Sequence, residues 1–357
     1  MKKILVTGAT GAMGSPMLQK LLENPAYEVY ATSRSPKSDP KIHWLQGDAK
    51  DKSFLNEILG CNNFDAVVDY MAYTTEEFRE RCDFLLDNCS HYLFTSSARV
   101  YAEKDGPIDE NAPRILDVCR DETYLSGDTY ELAKARQENI LKASGRKNWT
   151  IVRPSLTYNK RRLQFTIFEL KEWIYRPLCH NSVIFPVQMS DTVTTMTYGD
   201  DVAGVVSKLV LNPDVMGETF NVSGGGHNTW GKVLEIYRPA IEAACGEPMQ
   251  VREAGPAEEI ARHLRRYEQY RYARGIDRIF SNEKVEAVVG RYNYTTMEEG
   301  LLNCMRAFLE KPDELRVGAR KAAYLDRLVG ETTPLSKFPA TKQKAVYLLG
   351  RYGIIRV

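Results

Sequence analysis

Two polar residues in the middle of the chain have the types and spacing of a proton-transfer site. Tyr130 and Lys134 are four residues apart in an amphipathic segment, about 127–143, that predicts a helix, so both side chains lie on one helix face. A neighbouring ammonium stabilises tyrosinate, which lets a tyrosine act as a general acid or base. The same spacing is common on helix surfaces that have no function, so the pair needs support from other residues.

A pair of serines gives part of that support. Ser96 and Ser97 come at the end of a predicted strand, residues 91–95, ahead of the Tyr130 helix. Parallel α/β sheets bind their ligands outside the carboxyl ends of the strands. Hydroxyl groups at such a strand end therefore point into the crevice in which chemistry is expected.

The beginning of the chain has the pattern of a dinucleotide-binding turn. The apolar run 4–6 predicts a buried parallel strand, Gly8, Gly11 and Gly14 follow at three-residue spacing, and 15–22 predicts a helix. Free N–H groups and the helix dipole at such a turn bind a pyrophosphate, and glycines let it approach the backbone. An ordinary tight strand-to-helix turn is the alternative.

The end of the second predicted strand indicates which dinucleotide binds. Residues 28–32 are followed by Ser33 and Arg34, where NAD-binding folds usually carry an acidic residue that bonds the ribose 2′-hydroxyl. A guanidinium can instead pair with a 2′-phosphate through two N–H groups, and Lys37 adds positive charge. The sequence thus favours NADP(H), with a solvated arginine beside an NAD(H) site as the alternative.

Asp48 follows the third predicted strand, residues 42–45. Its carboxylate could accept a hydrogen bond from the adenine amino group. It could equally cap a helix predicted over 50–59, and both roles can hold together.

These residues need a scaffold that brings strand ends together, and the pattern of the chain supplies one. Predicted strands alternate with helices and short links, which specifies an α/β fold with a doubly wound (Rossmann) parallel sheet. The later strands are predicted at 64–71, 91–95, 150–153 and 218–222. Pro154 ends one of them and shapes a loop that could form a wall beside the nicotinamide.

Composition limits the class of protein. The 357 residues carry a net charge of +1, with 43% hydrophobic and 27% charged residues, so neither nucleic acid nor a membrane is an expected partner. No apolar run is long enough to span a membrane. The chain enters a strand directly without a signal peptide, and its seven cysteines are scattered without metal-ligand spacing. We expect a cytoplasmic protein without a bound metal.

The alternation of predicted strands and helices becomes less regular in the second half of the chain. We predict a nucleotide-binding core over 1–158, a substrate-binding region over 159–310 with segments near 194–222 that return to the core sheet, and a helical appendage over 311–357. The apolar end of the appendage could dock on the body or on a second subunit of a homodimer. The segment 262–274 interleaves arginines and tyrosines, which suits a nucleic-acid surface, a diphosphate clamp or a solvated amphipathic helix.

Taken together, these motifs resemble the extended short-chain dehydrogenase/reductase family, which includes nucleotide-sugar epimerases, dehydratases and reductases. The resemblance covers about 2–310 and is specific in the first 200 residues. It is carried by the glycine turn, Gly47-Asp48, Ser97 with Ala98-Arg-Val-Tyr101, Tyr130 with Lys134, Arg153-Pro154, and Gly199-Asp200-Asp201-Val202-Ala203.

The resemblance implies a role for each matching position. Tyr130 would be the acid/base, Lys134 its partner and the anchor of the nicotinamide ribose, and Ser97 the hydrogen-bonding partner of the reacting oxygen. The implied cofactor-binding residues are Gly8, Thr10, Gly11, Ala12, Met13, Gly14, Ser33, Arg34, Asp48, Ala49, Met71, Ala72, Tyr130, Lys134 and Pro154.

The sequence departs from the family pattern at three places. Ala98 and Arg99 stand where sugar-nucleotide dehydratases have a Thr-Asp-Glu run, which argues against water elimination of that kind. The fourth strand ends in residues 69–72, Asp-Tyr-Met-Ala, where a His-Leu-Ala-Ala-like run is common. Residues 155–160 lack the usual Tyr-Gly-Pro run, so substrate placement does not transfer.

The sequence thus predicts an NADP(H)-dependent oxidoreductase or epimerase that acts on a hydroxyl or keto carbon of a nucleotide-linked sugar. Two alternatives stay open. One is an RNA-binding or regulatory protein on the same scaffold, supported by the segment 262–274. The other is a reductase of a non-sugar carbonyl compound.

Overall fold

The computed structural model describes residues 1–312 and 315–355. Its strands are β1 Lys2–Thr7, β2 Tyr27–Ser33, β3 Ile42–Gln46, β4 Phe64–Asp69, β5 Cys89–Thr95, β6 Trp149–Pro154, β7 Leu156–Tyr158, β8 Val183–Pro186, β9 Val193–Thr194, β10 Met196–Tyr198, β11 Glu218–Val222, β12 Asn228–Thr229 and β13 Val251–Ala254. Its helices are α1 Gly14–Leu22, α2 Lys52–Cys61, α3 Thr75–Asp87, α4 Ile115–Val118, α5 Glu122–Ser126, α6 Tyr130–Ala143, α7 Leu170–Trp173, α8 Gly199–Leu209, α9 Trp230–Cys245, α10 Ala257–His263, α11 Tyr267–Gln269, α12 Glu283–Val289, α13 Met297–Leu309, α14 Ala319–Val329 and α15 Thr341–Arg351.

The central sheet of the described chain has seven strands in the order β11-β6-β5-β4-β1-β2-β3, and every neighbouring pair is parallel. The strand order reverses at β1, which lies between β2 and β4. This is the doubly wound topology that the sequence predicts, so the fold class is confirmed. The reversal opens a crevice at the carboxyl ends of β1 and β4.

The apolar run of β1 is continuous because both faces of the sheet are covered. Ile4 and Val6 point to one face and pack with side chains of α1, α8 and α12, whereas Leu5 points to the other and packs with α2, α3 and α6. All three side chains are fully buried. The two apolar layers hold β1, and with it the glycine turn, at the centre of the sheet.

The chain divides into two compact units. The first comprises 1–157, 195–226 and 279–295 and contains the central sheet; the second comprises 158–194, 227–278 and the described residues from 296 onward. The segment 279–295, which the sequence analysis assigns to the substrate-binding region, thus groups with the first unit. Of the stretch around 194–222, α8 and β11 belong to the first unit, whereas β9 pairs with β12 in the second.

The described part of the tail packs within the second unit. Its α14 and α15 enclose an apolar cluster that includes Tyr175, Phe338 and Tyr347. Beneath it Arg176 pairs with Asp326 at 2.6 Å, with both side chains fully buried, and the Tyr347 hydroxyl donates to the same carboxylate. The last two residues of the predicted apolar end, 356–357, lie outside the described residues.

Three local predictions differ from the structure. The helix expected from residue 50 begins at Lys52, because the Asp51 carboxylate accepts hydrogen bonds from the amides of Ser53 and Phe54; Asp48 does not cap it. The helix expected from about residue 127 begins at Tyr130. The segment 262–274 is not one helix, since Arg265 has a left-handed backbone, φ 57°, between α10 and α11.

The close approach of α1 to the turn after β1 predicts that any side chain at Gly14 would destabilise the fold. A Cβ at Gly14 would lie 2.4 Å from the Gly8 carbonyl oxygen, whereas a Cβ at Gly60 in α2 would meet nothing within 4 Å. We expect Gly14→Ala to lower the free energy of unfolding by about 1–3 kcal/mol. Gly60→Ala is the control and should raise it by up to about 1 kcal/mol. Denaturant unfolding measures both, and a Gly14→Ala protein as stable as the wild type would contradict the packing.

Candidate active site

A buried carboxylate ties together the strand ends at the reversal of the sheet. Asp69, the last residue of β4, is 1% exposed. It accepts hydrogen bonds from the Thr7 hydroxyl of β1 at 2.6 Å, the Tyr92 hydroxyl of β5 at 2.7 Å and the Met71 amide at 2.9 Å. The carboxyl ends of β1 and β4 are therefore tied to each other and to the middle of β5.

The glycine turn follows β1 at this edge and fits a dinucleotide. Gly8 has φ +66°, a conformation that side chains disfavour, and a Cβ there would press on Tyr70 and Met71. The Gly11 amide donates to the Gly8 carbonyl at 3.0 Å. Met13 stands at the N-cap of α1 and offers no capping hydrogen bond from its side chain. Pro16 has no N–H and the Ser15 amide donates to the Gly11 carbonyl at 3.1 Å, so the glycine turn and the helix dipole are the features that suit a pyrophosphate ligand.

Other predicted cofactor residues surround this turn. Thr10 and Gly11 are exposed, Ala12 and Met13 are half-buried, and Ala49 is buried. Met13 also contacts β7, since the Thr157 hydroxyl lies 3.8 Å from its sulfur. Pro154 ends β6, where it pairs in register with Val222 of β11.

Ser33, Arg34 and Asp48 lie at the carboxyl ends of β2 and β3. Ser33 is buried and its hydroxyl oxygen accepts from the Ser35 amide, whereas Arg34 is exposed to solvent. Asp48 is exposed and accepts from the Lys50 amide at 3.0 Å. With Asp51 as the helix cap, Asp48 keeps a carboxylate oxygen for a ligand.

Lys134 is buried behind the ends of β4 and β5. Its ammonium donates to the carbonyl oxygens of Thr95 at 2.7 Å and Met71 at 3.1 Å, and it lies 4.5 Å from the centre of the Phe94 ring. Burial lowers the pKa of Lys134 to about 8, although the charge of Asp69 opposes the decrease. The ammonium thus bonds to the ends of two strands, and its pairing with Tyr130 stays a prediction.

The cation that faces the Tyr130 ring is Arg99, whose guanidinium carbon is 5.0 Å from the ring centre. Tyr130 is the first residue of α6 and is 41% exposed. The Arg99 amide donates to the Ser97 hydroxyl oxygen at 3.2 Å, and its guanidinium pairs with buried Glu131. Ser97 and Tyr130 are therefore both adjacent to Arg99, a residue to which the sequence analysis gave no role in the site.

Ser96 has a structural role that differs from that of Ser97. Its hydroxyl donates to Glu138 at 2.6 Å. Glu138 is fully buried and pairs with Arg153 and Arg114. Burial would raise the pKa of Glu138, but the hydrogen bonds and charge of Arg153 outweigh it and leave that pKa lowered. This network fixes α6 against β5 and β6.

Asp69 and Glu138 are the residues that sequence reasoning missed. Asp69 had a signal, because it ends a predicted strand at the carboxyl edge where the family pattern differs. Glu138 stands in the predicted helix eight positions after Tyr130, and nothing in the local pattern shows that its carboxylate meets Arg153.

The comparisons with known proteins identify the family of the chain. Residues 4–223 match the NAD dependent epimerase/dehydratase family. The chain is 26% identical over 245 residues to the chloroplast stem-loop binding protein of 41 kDa b from Arabidopsis thaliana; the match covers 64% of this chain and 60% of that protein. The chain therefore spans about 60% of the length of this relative.

Solved structures share the fold at low sequence identity. A dTDP-glucose 4,6-dehydratase from Bacillus anthracis, in complex with NAD, superposes with a TM-score of 0.64 at 16% identity, covering 88% of this chain and 98% of that one. A UDP-glucuronic acid 4-epimerase from Bacillus cereus, in complex with UDP-glucuronic acid and NAD, gives 0.64 at 17% identity over 87% and 99%.

The sheet defines a doubly wound α/β fold of the extended short-chain dehydrogenase/reductase type. The chain belongs to the NAD dependent epimerase/dehydratase family, as its motifs predict. In the part of the chain that the structure describes, none of the helices has the length and apolarity to cross a membrane.

Proposed function

We propose that the chain is an NADP(H)-dependent reductase or epimerase that acts on a hydroxyl or keto carbon of a nucleotide-linked sugar. One observation carries the proposal: Lys134 bonds to the ends of β4 and β5, and Ser97 and Tyr130 both adjoin Arg99 at the same edge. Met71, whose carbonyl accepts from Lys134, also lies against the glycine turn: a Cβ added at Gly8 would be 3.4 Å from the Met71 sulfur. The proposed cofactor site is thus adjacent to the proposed acid/base residues.

The residues divide the chemistry between them. A bound nicotinamide would supply the hydride donor or acceptor. Tyr130 would exchange the proton of the reacting oxygen, taking it from a hydroxyl on oxidation and giving it to a carbonyl on reduction. The Ser97 oxygen accepts from the Arg99 amide, so its own proton can be donated to the reacting oxygen. Two of the three N–H groups of the Lys134 ammonium donate to backbone carbonyls, and the third can donate to a ribose hydroxyl.

The substrate class rests on the family and on the shared fold. The two solved structures described above are a dehydratase and an epimerase of nucleotide sugars. Ala98-Arg99 after Ser97 argues against the dehydratase reaction. A reductase releases its product after one hydride transfer, whereas an epimerase returns the hydride to the opposite face of the same carbon. The residues of the site fit both.

The role of Tyr130 is tested by removing only its hydroxyl. We expect Tyr130→Phe to abolish hydride transfer from NADPH, because no group remains to move the proton, while NADPH affinity stays within about twofold. The assay uses whichever nucleotide sugar the wild type turns over, and follows the loss of NADPH absorbance for a reductase or the appearance of the epimeric sugar for an epimerase. Tyr27→Phe is the control, since its hydroxyl lies at the amino end of β2. Full activity of Tyr130→Phe would remove Tyr130 from the mechanism.

The preference for NADP(H) depends on Arg34. We expect Arg34→Ala to weaken NADPH binding about tenfold or more through the loss of a charge-assisted pair with the 2′-phosphate, and to leave NADH binding nearly unchanged. Fluorescence titration with each nucleotide measures both affinities. Lys41→Ala makes the same change in charge on the same segment and serves as the control. An equal loss for both nucleotides would refute the phosphate role.

A second candidate function is the binding of stem-loop RNA. The name of the Arabidopsis relative describes such binding, and part of the segment 262–274 forms a stack in which exposed arginines lie beside half-buried tyrosine rings. The Arg262 guanidinium lies 3.5 Å from the centre of the Tyr267 ring, and Arg271 lies 5.2 Å from that of Tyr272. Other arginines of the segment are used internally: Arg266 pairs with Glu172 and Arg274 with Glu169.

This candidate predicts salt-sensitive RNA binding through this stack. Fluorescence anisotropy with a stem-loop RNA should show at least about fivefold weaker binding for Arg262→Ala/Arg271→Ala than for the wild type. Lys342→Ala/Lys344→Ala removes the same charge from α15 and should bind as the wild type does. Equal weakening by both double variants would indicate non-specific attraction only. Absence of binding at moderate salt would eliminate the candidate.

A further inference from the structure

Asp69 differs from the buried carboxylate Glu138 in what it bonds. It accepts hydrogen bonds from a threonine hydroxyl, a tyrosine hydroxyl and a backbone amide, all of them neutral. Glu138, by comparison, pairs with two guanidinium groups, those of Arg153 and Arg114. The negative charge of Asp69 is therefore stabilised by hydrogen bonds but not compensated by these partners.

Lys134 has the complementary property. It is 3% exposed, and the groups that accept its hydrogen bonds are the carbonyl oxygens of Met71 and Thr95. Carbonyl oxygens orient an ammonium without neutralising it. A buried charge of this kind needs an opposite charge nearby.

One residue connects the two groups. The Met71 amide donates to Asp69 at 2.9 Å, and the Met71 carbonyl accepts from the Lys134 ammonium at 3.1 Å. Among the charged groups that act on Lys134, Asp69 and Glu138 favour the ammonium and Lys50 disfavours it. Because Glu138 already has two cationic partners, Asp69 is the main counter-ion.

We propose that Asp69 is a positioning residue for Lys134: it keeps the buried ammonium charged, and through Met71 it fixes where that ammonium lies. The inference rests on the proposed function, in which Lys134 binds the nicotinamide ribose. It assigns to the Asp-Tyr-Met-Ala end of β4 a role in cofactor binding. Loss of the ammonium charge then sets an alkaline limit on cofactor affinity.

The direction of the pH dependence follows from burial. Burial lowers the pKa of Lys134 to about 8 with Asp69 in place, so the ammonium is charged below that pH and neutral above it. Cofactor affinity should therefore fall as the pH rises through about 8. Without the charge of Asp69 the ammonium becomes neutral at a lower pH. The fall in cofactor affinity therefore also occurs at a lower pH.

The test is NADPH affinity, measured by fluorescence titration of the full chain across the neutral and alkaline range. We expect Asp69→Asn to move the midpoint of the fall down by about one pH unit, as loss of a nearby opposite charge does. Lys134→Met should bind NADPH weakly, and its affinity should show no fall near the wild-type midpoint. Asp65→Asn is the matched control: Asp65 stands on the same strand, bonds to Lys2 and the Lys3 amide, and should leave the midpoint unchanged.

The outcomes separate this inference from the function on which it rests. A wild-type midpoint that Asp69→Asn leaves in place overturns the counter-ion role, although NADPH still binds. Failure of the wild type to bind either NADPH or NADH overturns the proposed function and the inference together. If Asp69→Asn does not fold, the double variant Asp69→Asn/Tyr92→Phe is used, because it removes the Tyr92 hydroxyl that donates to Asp69. Its reference is Tyr92→Phe, and the midpoint is again expected to move down by about one pH unit.

Discussion

The structure of the site depends on a lysine ammonium that is buried between two strand ends. Lys134 comes from the first turns of α6, and its two carbonyl partners belong to the ends of β4 and β5. Removing such a charge from water costs free energy, and the surrounding groups stabilise the ammonium against that cost. Asp69 supplies negative charge, the Phe94 ring lies under the ammonium, and the Glu138–Arg153 pair fixes α6 against the sheet. The position of Tyr130 follows, because it begins the same helix.

A second constraint acts on the backbone. The start of α1 lies so close to the turn after β1 that a Cβ at Gly14 would be within 3 Å of both Gly8 and Ala9. This contact holds the N-terminus of α1, and with it the positive end of the helix dipole, next to the turn. The glycine spacing is thus a packing requirement as well as a means of admitting a phosphate.

Much of the fold could be predicted from the sequence because its signals are local. The apolar runs of β1 and β4, the glycine turn and the helical periodicity of α6 each lie within one short segment. Helix boundaries were predicted less accurately: Asp48 was considered as the cap of α2, whereas the carboxylate of Asp51 caps it in the structure.

The parts of the site that could not be predicted depend on distant partners. The bond between Asp69 and Tyr92 joins two strands, and the bond between Lys134 and Met71 spans 63 residues. The same limit applies to the segment 262–274. Its arginines look alike in sequence, yet Arg266 and Arg274 pair with glutamates 94 and 105 residues away, whereas Arg262 and Arg271 are exposed and lie beside tyrosine rings. Only the fold distinguishes them.

The central claim is that the glycine turn and Lys134 bind a nicotinamide dinucleotide. The most direct test is to denature freshly purified protein, identify any released nucleotide by mass and absorbance, and titrate the emptied protein with NADPH and NADH. The account predicts one nicotinamide dinucleotide per chain, either retained through purification, as in an epimerase, or bound on titration with NADPH preferred, as in a dissociating reductase. If neither nucleotide is released or bound, the claim is wrong and the RNA-binding candidate takes its place.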